Sequence, residues 1–169
     1  FDTLQSAFAS AEKIFAVMDM VPQIVDSPDA IELDHIEGKI EFKDVWFAYK
    51  PDEWVLKGVS FTVEPRQTVA FVGSTGSGKT TIFDLLLRFY EPQKGKITAD
   101  GVEIQKISTD SLRSKIAKVS QDTFLFPGTI RENLLLANPK ADDAELKAMM
   151  EKVCLTKFMA QLPKGLDTD

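Results

Sequence analysis

Gly73-Ser74-Thr75-Gly76-Ser77-Gly78-Lys79-Thr80 is an uninterrupted G-x-x-x-x-G-K-[ST] run, placed directly after the strand-like Thr68-Val69-Ala70-Phe71-Val72. Glycines at three of its positions let the backbone curl until successive N–H groups point inward. The result is a concave anion site at the mouth of the helix expected from Lys79. An ammonium at Lys79 then reaches β- and γ-phosphates, and the Thr80 hydroxyl is placed to ligate Mg²⁺. By average residue usage the four fixed positions coincide at roughly one site in tens of thousands, so chance does not explain them. The residues downstream fit as well: Thr81-Ile82-Phe83-Asp84-Leu85-Leu86-Leu87 carries apolar residues at helical spacing.

Outward from this loop, the composition limits the partners. The chain has 169 residues, 44% of them hydrophobic, enough for a packed core, and a formal net charge of −6. Such a balance argues against nucleic acid as a direct partner, because a phosphate-backbone footprint needs clustered Lys and Arg. Cys154 is the only cysteine, so no internal disulfide can form. With Met149, Met150, Val153 and Leu155 around it, it is expected as a small apolar core thiol on a buried helix face. His35 stands alone in a polar stretch, with no second imidazole or thiol to complete a metal site. No apolar stretch reaches the length of a membrane span, and the first residues lack signal-peptide form.

Residues 1–20 place Phe1, Leu4, Phe8, Ala11, Phe15 and Met18 at steps of three and four, the signature of an amphipathic helix that Pro22 stops. A linker continues to about residue 38, with turn chemistry at Val25-Asp26-Ser27-Pro28-Asp29. From Lys39 to Lys50 the residues alternate, Ile40 and Phe42 and then Val45, Phe47 and Tyr49, with a phase slip at Lys43-Asp44 that predicts a bulge. Val59, Phe61 and Val63 form a second alternating strand, ended by Glu64-Pro65. After the phosphate-loop helix, Lys96 to Ile104 folds back around Asp100-Gly101 as a hairpin. Lys115 to Ser120 reads as a further short strand, preceded by a brief helix opened by Ser108 or Thr109. Thr129-Ile130-Arg131-Glu132 is a capping box that starts a helix at Ile130, and Ala141 to Cys154 is another helix with acidic residues in its first turn.

Two residues outside the loop add chemistry. Tyr49 precedes the loop beside Phe47 and Trp54-Val55-Leu56, where its ring can stack on a purine or serve only as strand-end core. Gln121 comes directly after the strand expected at 115–120. A neutral amide there can offer its oxygen to Mg²⁺ and its NH₂ to a water or phosphate oxygen. By spacing alone it is an ordinary loop glutamine.

Together these motifs resemble the nucleotide-binding domain of an ABC transporter, specifically its first part in the exporter type, across nearly the whole chain. Tyr49 matches that family's adenine-stacking loop, Gly73 to Thr81 its Walker A motif, and Gln121 its Q-loop. Phe124-Leu125-Phe126, Gly128-Thr129-Ile130 and Asn133 resemble the exporter subgroup. Residues 1–22 resemble the helix that leads out of the last transmembrane helix of such exporters. The resemblance implies an α/β fold: a P-loop (RecA-like) ATPase core with an antiparallel β subdomain over residues 39–128, and the start of an α-helical subdomain over 129–169. It implies ATP and Mg²⁺ as ligands, with Tyr49 stacking adenine and Val55 packing beside it. The amides of Ser74, Thr75, Gly76, Ser77, Gly78, Lys79 and Thr80, with the Lys79 ammonium, hold the phosphates. Thr81 contacts the α-phosphate, and Thr80 and Gln121 ligate the metal. The implied partners are a transmembrane domain and a second nucleotide-binding domain docked head to tail, at the cytoplasmic face of the cell membrane. Arg66 and Ala99 depart from the family pattern, standing where glycine and a larger apolar residue are usual.

The family continues past the Lys164-Gly165-Leu166-Asp167 region into an LSGGQ signature, a Walker B strand with its carboxylates and a switch histidine, none of which this sequence contains. The expectation is therefore an incomplete sheet, with Ile82, Leu85 and Leu86 short of cover, and a chain that binds nucleotide but scarcely hydrolyses it. The catalytic roles left to it are those of Lys79 and Gln121. Two other readings share the loop. A non-transport ABC ATPase of DNA repair or translation shares more motifs than a small-molecule kinase, and a GTPase lacks support because no Asn-Lys-x-Asp guanine reader is present.

Overall fold

A computed structural model describes residues 2–122 and 124–168. Phe1, first in the apolar series of the amphipathic pattern, lies outside them. The chain divides into two compact units, residues 1–118 and 119–169.

In the first unit, helix α1 (Asp2–Met18) is followed by strands β1 (Ile40–Ala48) and β2 (Trp54–Val63), helix α2 (Lys79–Leu86), strands β3 (Lys94–Ala99) and β4 (Val102–Glu103), and helix α3 (Thr109–Ser114). The four strands form one antiparallel sheet in the order β2-β1-β3-β4. Alternation in the sequence sets its register. Phe42 of β1 lies opposite Phe61 of β2 and Ile97 of β3, and the Phe42 and Phe61 rings stack at 4.5 Å. The phase slip appears where the alternation breaks: the register shifts between Phe42 and Val45 on the β2 side of β1 and between Lys43 and Trp46 on the β3 side, Asp44 takes a left-handed φ of 49°, and its N–H donates to Ser60 Oγ at 2.9 Å. β2 begins at Trp54, earlier than the Val59–Val63 alternation indicates.

Phe42, Val45, Phe47 and Leu56 from the first two strands meet Ile82 and Leu85 from α2, Ile97 and Ala99 from β3, and Ile104, Ile107 and Leu112 in one buried cluster. Each of the larger side chains in it contributes roughly 1.5–3 kcal/mol of burial. Ile82 and Leu85 are therefore covered, contrary to expectation, because the antiparallel sheet packs on α2. The cover is missing elsewhere. Residues 68–72 and 115–120 form no strand, and Val72 and Val119 are 95% and 96% exposed. Both segments have strand-type sequences, but among the described residues neither has a pairing partner, and a strand exists only as part of a ladder. Phe71 alone of the first segment turns inward, edge-on to Phe61 and Phe83.

The turn before that segment holds one departure from the family pattern. Arg66 sits at φ 62°, the left-handed region that glycine occupies without steric cost. Ala99 is fully buried at the sheet centre.

The second unit holds α4 (Ile130–Leu135), α5 (Asp143–Lys152) and α6 (Thr156–Met159) around Leu146, Met150 and Leu166. Capping boxes open α4, through Thr129 and Glu132, and α5, through Asp142 and Glu145. Arg131 ties the unit together through ion pairs to Asp143 and to Asp167, the latter at 2.7 Å. Its guanidinium donates to both carboxylates, which holds both below the ordinary aspartate range. Cys154 is exposed rather than buried: α5 ends at Lys152, and Cys154 takes a left-handed φ of 61° in the turn beyond it.

Candidate nucleotide site

Residues 73–78 form a turn-rich loop that feeds α2. Gly76 and Gly78 adopt φ of 82° and 90°, which side chains rarely tolerate. At Gly78 space is short as well: a Cβ there would come within 2.7 Å of Leu56 Cδ2 and 3.3 Å of Val55 Cγ1. The end of the loop is thus pressed onto β2, and Val55 lies against the start of α2. Gly78 is the N-cap of α2 and provides no side-chain cap. A helix start leaves its first N–H groups without intrahelical acceptors, so this end is open to an anion. Lys79 folds back into the loop, donating to the carbonyls of Gly73 at 2.8 Å and Ser74 at 2.7 Å and to Ser77 Oγ at 3.3 Å. An ammonium held beside uncapped N–H groups is an arrangement that favours an anion. Ser74, Thr75, Ser77 and Thr80 are exposed around it. The exposed Thr80 hydroxyl, on the second residue of α2, is a hard oxygen donor that fits Mg²⁺.

Tyr49, one residue past the end of β1, is held against the same helix. Its hydroxyl bonds the Thr81 hydroxyl at 3.1 Å, and Thr81 is buried in the first turn of α2. Its ring meets Phe47 and Tyr90 nearly at right angles, with centroids 4.8 Å and 5.0 Å away. About half of Tyr49 remains exposed. The first unit therefore brings Tyr49, Val55 and residues 74–81 together. Gln121 belongs to the second unit, where it is exposed in a bend.

A family model described as ABC transporter matches residues 56–166, well over half of the chain. The chain belongs to the ABC transporter family. An uncharacterized ABC transporter ATP-binding protein of Bacillus subtilis is 45% identical over 99% of this chain and 28% of its own length. A fatty acid ABC transporter ATP-binding/permease protein of Mycobacterium tuberculosis is 44% identical, over 99% of this chain and 26% of its own length. An ATP-dependent lipid A-core flippase of Saccharophagus degradans is 42% identical, over 98% and 28% respectively. The solved structure of a bacterial Atm1-family ABC exporter with ATP bound superposes with a TM-score of 0.88 at 35% identity, over 99% of this chain and 30% of that one. The chain thus spans about 28% of the length of curated relatives such as the first, and its fold is the exporter P-loop ATPase fold with an open sheet. No helix among the described residues of this ABC transporter domain is long and apolar enough to cross a membrane.

Several residues around the site escape sequence reasoning. Arg88, only 2% exposed at φ 54°, pairs with Asp26 of the linker at 2.9 Å and donates to the Ile107 carbonyl at 2.8 Å. Asp26 also accepts from the Thr109 backbone N–H and hydroxyl. The backbone bond, with Thr109's hydroxyl and Arg88 adding to it, holds the Asp26 carboxyl below its ordinary range despite partial burial. Only the charge at the end of the apolar run Leu85-Leu86-Leu87-Arg88-Phe89 hints at this role. Gln93 gives no sequence signal at all, yet its amide brackets Ala48, accepting from its N–H at 3.0 Å and donating to its carbonyl at 2.8 Å.

Proposed function

We propose that this chain is the ATP-binding part of an exporter that couples Mg²⁺-ATP binding and hydrolysis to movement of a substrate across a membrane. The observation that carries the reading is the uncapped start of α2 with the Lys79 ammonium folded onto its loop, a site that selects a polyphosphate. In this proposal the amides of Ser74 to Thr80 and the Lys79 ammonium hold the β- and γ-phosphates. Thr81 contacts the α-phosphate, Tyr49 stacks on adenine, and Val55 packs beside it. Thr80 would ligate Mg²⁺, which when bound would neutralise charge on the phosphate oxygens. Residues 1–22 lead in from a transmembrane domain, residues 23–38 link, 39–128 form the nucleotide core, and 129–169 begin the helical subdomain. A second such domain docks head to tail across the nucleotide, at the cytoplasmic face. The relatives named as fatty acid transporter and lipid A-core flippase support export of an apolar or lipid-like cargo.

Calorimetric titration with ATP tests this. Lys79→Ala is expected to remove most affinity while the far-ultraviolet circular dichroism spectrum stays unchanged; an unaltered titration in that variant overturns the assignment. Tyr49→Ala is expected to weaken ATP more than tripolyphosphate, since base stacking is worth ~1–3 kcal/mol. Equal losses reduce Tyr49 to core.

A further inference from the structure

Tyr49 is held by more than its place in the strand. No ring among the described residues lies parallel to it; the rings of Phe47 and Tyr90 approach at 87° and 88°. The neighbours fix its orientation without stacking on it. Its hydroxyl is tied to Thr81 in the first turn of α2, and Tyr90 stands just beyond the other end of the same helix. The backbone is fixed too. Ala48, immediately before Tyr49, pairs with Trp54 of β2 on one side. On the other side no strand residue takes its place: the Gln93 carboxamide supplies both the acceptor and the donor, at 3.0 Å and 2.8 Å. The Gln93 N–H meanwhile donates to the Trp46 carbonyl at 3.0 Å, extending the ladder by which β3 approaches β1. A side-chain amide offers both hydrogen-bonding roles from one planar group.

We infer that Tyr90 and Gln93 are positioning residues for base recognition: they set the Tyr49 ring against the helix whose N-terminus holds the phosphates. The inference rests on the proposed nucleotide reading and deepens it. Because Thr81, Tyr90 and Gln93 all lie on α2 or the segment directly after it, base platform and phosphate site form one preorganised piece. A ring already oriented loses less freedom when a base stacks on it. Neither Tyr90 nor Gln93 is assigned to touch phosphate, so losing either should spare phosphate affinity. Thr81 is not a clean probe, since it is itself proposed to contact the α-phosphate.

The test is calorimetric affinity for ATP and for tripolyphosphate, measured in the whole protein for Tyr49→Ala, Tyr90→Leu, Tyr90→Phe and Gln93→Leu. Tyr90→Leu and Gln93→Leu are each expected to weaken ATP roughly three- to tenfold, with tripolyphosphate changed by less than about twofold. Tyr90→Phe keeps the ring and should keep the wild-type ratio of the two affinities. In the Tyr49→Ala background Tyr90→Leu should add nothing, because the ring it positions is gone. Full additivity there overturns the inference, as does a parallel loss of both ligands in the single variants. Tyr49→Ala also separates the two levels of failure. An unchanged ratio in that variant overturns the base-stacking reading and this inference with it. A shifted ratio there, with unchanged ratios in Tyr90→Leu and Gln93→Leu, overturns this inference alone. Gln93→Leu provides an independent reading if the Tyr90→Leu protein fails to fold.

Discussion

β1 and residues 68–72 are written in the same alphabet of alternating β-branched and aromatic residues, yet one is a central strand and the other is unpaired. Phe42 and Val45 of β1 are buried; Val72 is 95% exposed. β1 finds β2 a short turn away and β3 across α2, and both pair with it antiparallel. A segment that leads into a phosphate loop in this kind of fold pairs parallel to its neighbours, and parallel pairing needs partners brought back by long crossovers. The difference teaches that alternation specifies a capacity to form a strand, while the ladder partner decides whether the strand exists.

The sharpest way to break this comparison is truncation at the matched positions. Phe42→Ala should destabilise the chain by about 3–5 kcal/mol through the cavity left between Phe61 and Ile97, whereas Val72→Ala should change it by less than about 0.5 kcal/mol. Urea denaturation of both variants measures this, and a comparable loss at Val72 means the segment has a buried partner. Amide exchange gives the same contrast without mutation: slow for Phe42 and Ile97, fast across 69–72.

The bulge of β1 is the next largest effect. Gly95 sits at φ 79°, and a Cβ there would collide with the backbone carbonyls of Lys43 and Asp44. Gly95→Ala should therefore cost roughly 1–3 kcal/mol, read from the same denaturation midpoint. A neutral result would show that the β1–β3 bulge yields easily.

Asp26 comes after that. Asp26→Asn leaves the buried Arg88 guanidinium with one charged partner fewer and should cost about 1–2 kcal/mol. Its folded pKa is lowered, so its contribution is complete above the ordinary aspartate value of about 3.9. It is lost as pH falls through the lower folded value. The wild-type thermal midpoint should therefore fall faster than that of Asp26→Asn as pH drops below about 4; parallel curves would remove Asp26 from the acid response. Smallest is the cap of α4, where Thr129→Ala should cost about 1 kcal/mol. Circular dichroism melting detects it, and no change would mean that Glu132 alone holds the helix start.

Much of the candidate site is legible in the sequence because its signals are local. The loop, its lysine, the helix it opens, the β1 bulge and the capping box at Thr129 each depend on residues adjacent in sequence. Cys154 departs from its expected burial because an apolar neighbourhood in sequence does not say where a helix stops, and the turn after Lys152 rotates it outward. Ile82 and Leu85 depart in the opposite direction: their cover comes from the antiparallel sheet, whose side of the helix no periodicity reveals.

What the sequence by itself determined is the phosphate chemistry and the family, since a turn that aims N–H groups at an anion needs only the right glycines and one lysine in order. What only the tertiary structure decided is how the Tyr49 ring is held: Thr81, Tyr90 and Gln93 meet Tyr49 and Ala48 from 32 to 45 residues away. Hydrogen bonds and ring packing over such separations depend on how the chain folds back, because their strength varies with distance and angle and leaves no pattern along the sequence.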